Sequence, residues 1–354
     1  MSTKLKVERK PLRVGPASAV VRPYAVVVVV MLAAVLFVLF CVDVGRGEYP
    51  LSIGQVIDVL GGGGKRAQRV IVMDLRLPRA LIGILAGAAL GVAGALTQST
   101  LRNPLAGPDL LGITAGAGLA AIAVIVLGGA TTGGALHQFG VPAAALAGGL
   151  ATAVAIYALA WSKGFDGFRI VLIGIGINAM MTAGIGWLLV FGKLDDVIRA
   201  QIWLNGSINS TDWSQVGPLA VGFAVAGAFA LISVPTMATL RLGDDKARSL
   251  GVRLQLRQTT LLLAAVVLAS LATAVTGPIG FVALAAPQIA RRIQRCPVEP
   301  ILASALVGAI LVICSDIVAR TILPVDLPVG IVTSALGGVF LLYLLVVSNR
   351  KVTV

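Results

Sequence analysis

Ten apolar runs follow one another along this chain with only short polar gaps between them, and that pattern leaves few folds open. Crossing about 30 Å of hydrocarbon takes a helix of about 20 apolar residues. The runs are Ala25 to Val44, Ala80 to Leu101, Leu111 to Leu127, Val141 to Trp161, Ile170 to Phe191, Val216 to Met237, Thr259 to Thr276, Gly280 to Ala290, Ile301 to Ile317 and Val329 to Val347. The eighth is short and needs residues from Gly277-Pro278 or from Arg291 onward to span. Inside lipid every backbone N–H and C=O must find a partner within the protein, which a helix provides along its own length. The reading is an all-α polytopic membrane protein with ten transmembrane helices. Composition agrees: 12% of residues are charged and mean hydropathy is +0.98, whereas soluble domains carry about 25% charged residues. One membrane domain, residues 25–347, is expected between an N-terminal tail, 1–24, and a short C-terminal tail, 348–354. The first run exceeds the core of about 7 to 15 residues of a cleaved signal peptide, so it reads as an uncleaved span.

Ten spans put both termini on one side. The N-terminal tail and the connectors after even-numbered spans hold most of the 28 Lys and Arg, so the positive-inside rule places the termini in the cytoplasm. The first external loop is the main exception. A net charge of +13 could suggest nucleic acid, but the basic residues are scattered and no aromatic residues are interleaved with them as a base-stacking surface needs. Cys41, Cys296 and Cys314 are too widely spaced for a disulfide framework or a metal motif. His137, the only histidine, sits in a Gly-rich connector and reads as a surface residue. Gly61 to Gly64 followed by Lys65 and Arg66 resembles a phosphate loop only superficially. Val59 stands where the first glycine belongs and Arg66 where the hydroxyl belongs, so a flexible external loop is expected. Any ATP hydrolysis has to come from another chain.

Small residues recur at a spacing of four: Gly83, Gly87 and Gly91 in the second span, Gly112 and Gly116 in the third. Lipid tails are as apolar as leucine, so helices associate there by close backbone approach, and these glycines mark packing faces. Ionisable residues are nearly absent from the spans, which argues against a secondary transporter driven by an ion gradient. Asp316 and Arg320 lie four apart on one helix face and read as an ion pair. Asn178 and Thr182 in the fifth span could line a path or bond between helices. Gly192 to Gln215, with Trp203 and Trp213, could hold a short interfacial helix. Arg76-Leu77-Pro78-Arg79 puts two arginines on the external face, where positive charge is disfavoured, and suggests docking of an acidic partner. The charged loop 241–257 is amphipathic through Ala247, Leu250, Val252 and Leu254, as a helix pair lying on a partner would be.

Several of these stretches together resemble the FecCD family of permease subunits of ATP-driven importers for iron chelates and vitamin B12. They are Arg76 to Arg79; Gly94 to Gln98 running into Arg102 to Gly112; Leu242 to Asp245 with Ser249 to Val252; Gly277 to Phe281 with Ala286-Pro287; and Leu327 to Thr333. Phe168 to Met180 and Trp203 to Trp213 are most similar to the G-type subunits of ferric enterobactin permeases. Gln288 departs from the family, which usually has His there. The resemblance implies the type II importer permease fold in the bacterial inner membrane and a catecholate ferric siderophore as cargo, with another iron chelate, haem or vitamin B12 as the alternative. It implies three kinds of neighbour besides lipid: a second, D-type permease in a heterodimer, two ATPase subunits that bind ATP and Mg, and a siderophore-binding protein outside. No cofactor is implied on this chain. By transfer, Arg76, Arg79 and Arg320 would dock the binding protein, and Leu242, Gly243, Asp244, Asp245, Ala247, Leu250 and Gly251 would couple to the ATPase. Phe168, Arg169, Asn178 and Thr182, with the connector Lys163 to Arg169, would line and close the path.

Overall fold

The computed structural model describes residues 12–14, 17–19, 22–47, 49–109, 111–128, 135–160, 167–209, 211–321 and 327–349. Two three-residue strands, β1 (Leu12–Val14) and β2 (Ala17–Ala19), pair antiparallel in the N-terminal tail. Everything else of regular structure is helical.

A helix lies on each of the ten apolar runs: α1 (Pro23–Gly45), then, past α2 (Ile53–Leu60) and α3 (Arg66–Arg69), α4 (Leu77–Leu101), α5 (Ile113–Gly128), α6 (Ala135–Ala160) and α7 (Gly167–Phe191). α8 (Leu194–Leu204) is the short helix expected in the Gly192 to Gln215 segment. After it come α9 (Trp213–Ile232), α10 (Val234–Leu240), α11 (Asp244–Ser249), α12 (Leu254–Thr276), α13 (Val282–Gln294), α14 (Ile301–Thr321) and α15 (Val329–Asn349). Seven of the described helices are long and apolar enough to cross a membrane; α5 and α15 are shorter apolar helices, and α13 has only 13 residues.

Four local expectations change. The second span does not start at residue 80, because a π-helical turn, Val70–Arg76, joins α3 to α4 and makes one helical stretch from Arg66 to Leu101. Pro78 lies at the junction, in the first turn of α4, and Met73 O in the turn before it accepts from Trp213 Nε1 at 2.9 Å. The sixth span breaks at Ser233, where Pro235 begins a new helix. Gly61 to Gly64 form a compact turn, with Gly63 N bonded to Asp58 O at 2.8 Å and positive φ at Gly62 and Gly64. Residue 137 belongs to α6 and not to a connector.

α4 is the axis of the bundle. Of its apolar window 83% is buried, against 22% for α7 and 17% for α9. The glycine stripe explains why. A Cβ added at Gly87 would lie 2.5 Å from Gly308 O, and one at Gly91 would lie 2.1 Å from Ser304 O, both backbone atoms of α14. Gly116 serves α5 against α6 in the same way, its added Cβ 1.8 Å from Thr152 Oγ1. Gly112 lies just before α5 with φ +75°, and its backbone fits against Asn178 of α7. The helices are therefore held by backbone proximity and dispersion, as lipid requires. α9, α12, α13 and α14 complete the main core around α4.

Candidate functional site

Two charged assemblies sit at opposite ends of α4. Arg79 and Arg102 are 23 residues apart, about 35 Å along a helix at 1.5 Å per residue, which is about the thickness of the hydrocarbon.

At the N-terminal end the three arginines singled out in the sequence converge. Arg79 grips Asp316 with two bonds, Nη2 to Oδ1 at 2.6 Å and Nε to Oδ2 at 3.2 Å. Arg320 Nη2 reaches Asp316 Oδ2 at 2.9 Å, the expected pair one helical turn apart, and also binds Asp43 Oδ1 at the end of α1. Arg76 donates to Val44 O at 2.9 Å and Tyr49 O at 2.8 Å. Asp316 and Asp43 are almost fully buried, 1% and 2% exposed, while Arg79 and Arg320 keep 16% and 13%. Buried carboxylates are tolerated only when paired and hydrogen-bonded, and here two of them orient the guanidinium groups of Arg79 and Arg320, while backbone carbonyls hold that of Arg76. Asp43 was missed in the sequence because nothing in the first span says which neighbour its last turn meets.

At the other end lies the charged loop. α11 is a single short helix bracketed by Gly243 (φ +102°) and Gly251 (φ +79°), whose left-handed backbone favours glycine. Asp244 and Asp245 open it and Lys246 and Arg248 close it, each matching the sign of the nearby helix dipole. Ala247 is completely buried in the chain's own core, so its role is internal packing rather than contact with a partner. Leu242 and Leu250 face outward, 53% and 62% exposed. Asp244 forms an ion pair with Arg102 at the end of α4, and Arg241 pairs with Glu299 between α13 and α14. The amphipathic pattern was legible; Arg102 and Glu299 were not, since no local spacing links them to it.

Phe168, Arg169, Asn178 and Thr182, expected from the sequence to line a path, all lie on α7. Phe168 is 78% exposed and begins a stripe with Leu172, Ile175 and Thr182 at helical spacing, all exposed. The Thr182 hydroxyl donates to Asn178 O at 2.8 Å, within its own helix and not across to another. Arg169 is on the exposed surface beside Phe168. Of the connector Lys163 to Arg169, residues 163–166 lie outside the described residues.

Residues 34–347 match the FecCD transport family. The chain belongs to that family. Among curated FecCD-like relatives, the ferric enterobactin transport system permease protein FepG of Escherichia coli is 38% identical over 91% of this chain and 97% of its own length. The achromobactin transport system permease protein CbrC of Dickeya dadantii is 39% identical over 86% of each. The iron(3+)-hydroxamate import system permease protein FhuG of Bacillus subtilis is 35% identical over 93% of this chain and 98% of its own. A solved inward-facing ABC transporter described as of metal-chelate type has the same fold, with a TM-score of 0.78, 24% identity and coverage of 89% of this chain and 97% of that one. The chain is thus a multi-pass inner-membrane transport subunit and not an enzyme.

The glutamine that departs from the usual FecCD pattern has a defined place. Gln288 Nε2 donates to Gln98 Oε1, and Gln98 Nε2 donates to Leu284 O at 3.0 Å. Both side chains are buried, 2% and 1% exposed, and their bonds tie α13 to α4.

The FecCD stretch Arg102 to Gly112 also brings in Asp109, whose carboxylate accepts from the Thr114 side chain and the Phe281 backbone. Burial pushes its pKa up to about 6. The sign follows: a carboxyl that holds its proton longer when folded favours folding below the ordinary carboxylate range, and that contribution is lost as pH rises through about 6. Asp109→Asn is expected to remove this decline. The excess of its thermal midpoint over that of the native chain should be larger at about pH 7 than at about pH 4.5; a constant difference would refute the assignment.

Proposed function

We propose that this chain is one permease of an ATP-driven importer that carries a catecholate ferric siderophore of the enterobactin type inward across the inner membrane. Its partners are a different, D-type permease, two ATPase subunits on the cytoplasmic side and a siderophore-binding protein outside. The observation that carries the reading is the match to FepG over 97% of that protein's length. The layout supports it: arginines at one end of α4, an outward-facing apolar and charged segment at the other, and an exposed stripe on α7 between them.

In this reading Arg76, Arg79 and Arg320 receive acidic residues of the binding protein; the cluster's two carboxylates hold Arg79 and Arg320 in place, and the carbonyls of Val44 and Tyr49 hold Arg76. Leu242, Gly243, Asp244, Asp245, Leu250 and Gly251 seat on the ATPase, with Ala247 as their inward anchor. ATP binding draws the two ATPase subunits together, and Phe168, Arg169, Asn178 and Thr182 lie along the path that opens and closes. No bond is made or broken in this chain. Its work is differential packing of two conformations.

Proteoliposomes holding the whole complex should take up ferric enterobactin in preference to ferric citrate and ferric hydroxamates. Preference for either of the latter would overturn the cargo assignment. Arg76→Glu, which removes no member of the cluster's three ion pairs, should lower affinity for the binding protein about tenfold, as loss of a charge contact at an interface does. Unchanged affinity in a normally inserted variant would count against the docking role.

A further inference from the structure

The segment before α11 is fastened to a part of the bundle far from it in sequence. Glu299, 1% exposed, sits in the corner between α13 and α14. Its Oε1 accepts from Arg241 and, at 3.3 Å, from Arg291 Nη1 of α13. Arg241 also donates to Pro297 O in the same corner. Two residues on stands Gly243, with φ +102° and nothing within 4 Å of where a Cβ would be. A fixed point and a free pivot thus adjoin.

The contact between Arg241 and Glu299 is incomplete in a specific way. Arg241 Nε and Glu299 Oε2 are both buried, and neither has a hydrogen-bond partner. Each is a group that burial makes costly to leave unpaired, about 1–3 kcal/mol and more when charged. They belong to the same ion pair and are complementary, donor to acceptor. A guanidinium and a carboxylate can close a two-bond fork, and a fork through Nε and Oε2 would satisfy both orphans at once. The pair therefore has a second arrangement available to it, with one bond more than the one observed.

The geometry points to Arg241–Glu299 as a two-position joint, held by one bond in this conformation and by a fork in another, that passes movement of the 241–251 segment to the α13–α14 corner. α14 is the partner against which α4 packs through Gly87 and Gly91, so the joint bypasses the chain-adjacent helices and acts on the axis of the bundle. This inference rests on the importer reading for what moves the segment. The fork itself is a property of this chain alone.

Two variants test it. Arg241→Lys keeps the charge but cannot form a fork, and Glu299→Gln keeps the shape but not the charge. In proteoliposomes of the whole complex, cargo moved per ATP hydrolysed should fall about tenfold in both, an effect on the scale of one lost hydrogen bond to a charged group. A merely structural anchor would be served by lysine, so Arg241→Lys within about twofold of the native ratio would overturn the joint. Hydrogen exchange on the solubilised full chain supplies an arm independent of cargo and partners. Glu299→Gln should speed exchange over residues 242–250 and leave α4 unchanged. If the native complex moves no siderophore, the importer reading fails, and exchange alone decides: unaltered protection of 242–250 refutes the joint.

Discussion

Asp316→Ala is expected to destabilise the chain by about 3–5 kcal/mol, the scale on which one partner of a buried ion pair is removed. Asp316 is 1% exposed and is shared by Arg79 and Arg320, so its loss leaves two mostly buried guanidinium groups with fewer acceptors than donors. Asp43 still holds Arg320, but Arg79 loses both of its bonds to a side chain. Because the cost arises from the orphaned cation, the double variant Asp316→Leu with Arg79→Met should recover much of it. A thermal-unfolding series on solubilised protein reads both. The idea does not survive if the single variant loses less than about 1 kcal/mol, the worth of an exposed pair.

That cluster also shows how far local pattern reaches. Asp316 and Arg320 were readable as a pair because they lie one turn apart on a helix; Arg79 and Asp43 were readable only as charges at the ends of spans. What joins them is the packing of α1, α4 and α14, and lipid-facing sequences encode that packing weakly, since every apolar face is acceptable to lipid. Where packing is encoded in backbone approach it was legible: the stripe of Gly83, Gly87 and Gly91 marked the face that meets α14. Ala247 illustrates the opposite limit. Periodicity put it on an apolar face with Leu250, yet it turns inward and Leu250 outward, because α11 is too short for a stripe to define its direction. The break at Ser233 and the π-helical turn at Val70–Arg76 were invisible to hydropathy, which registers apolar content and not the helix's pitch.

The second large effect is expected at Gly94, which lies on the same helix as that stripe but meets a different neighbour. In an ordinary helix Gly→Ala is favourable by about 1 kcal/mol. Here a Cβ at position 94 would lie 1.7 Å from Ala283 O and 2.6 Å from Ala283 C, in the first turn of α13. Neither atom is the end of a flexible side chain, so α13 as a whole has to withdraw. Withdrawal strains the bond from Gln98 to Leu284 O and the Gln98–Gln288 pair, and α13 is only 13 residues long. Gly94→Ala should therefore cost at least the 1–3 kcal/mol of an overpacked core. Gly176 and Gly186 on α7 are the internal controls, since nothing lies within 4 Å of a Cβ at either. Alanine at each should be neutral or stabilising by up to about 1 kcal/mol in the isolated chain. If all three substitutions shift the thermal midpoint alike, the approach of α4 to α13 is not what Gly94 is for. If only Gly94→Ala lowers it, the glycine marks the contact that lets a short helix be held at membrane depth.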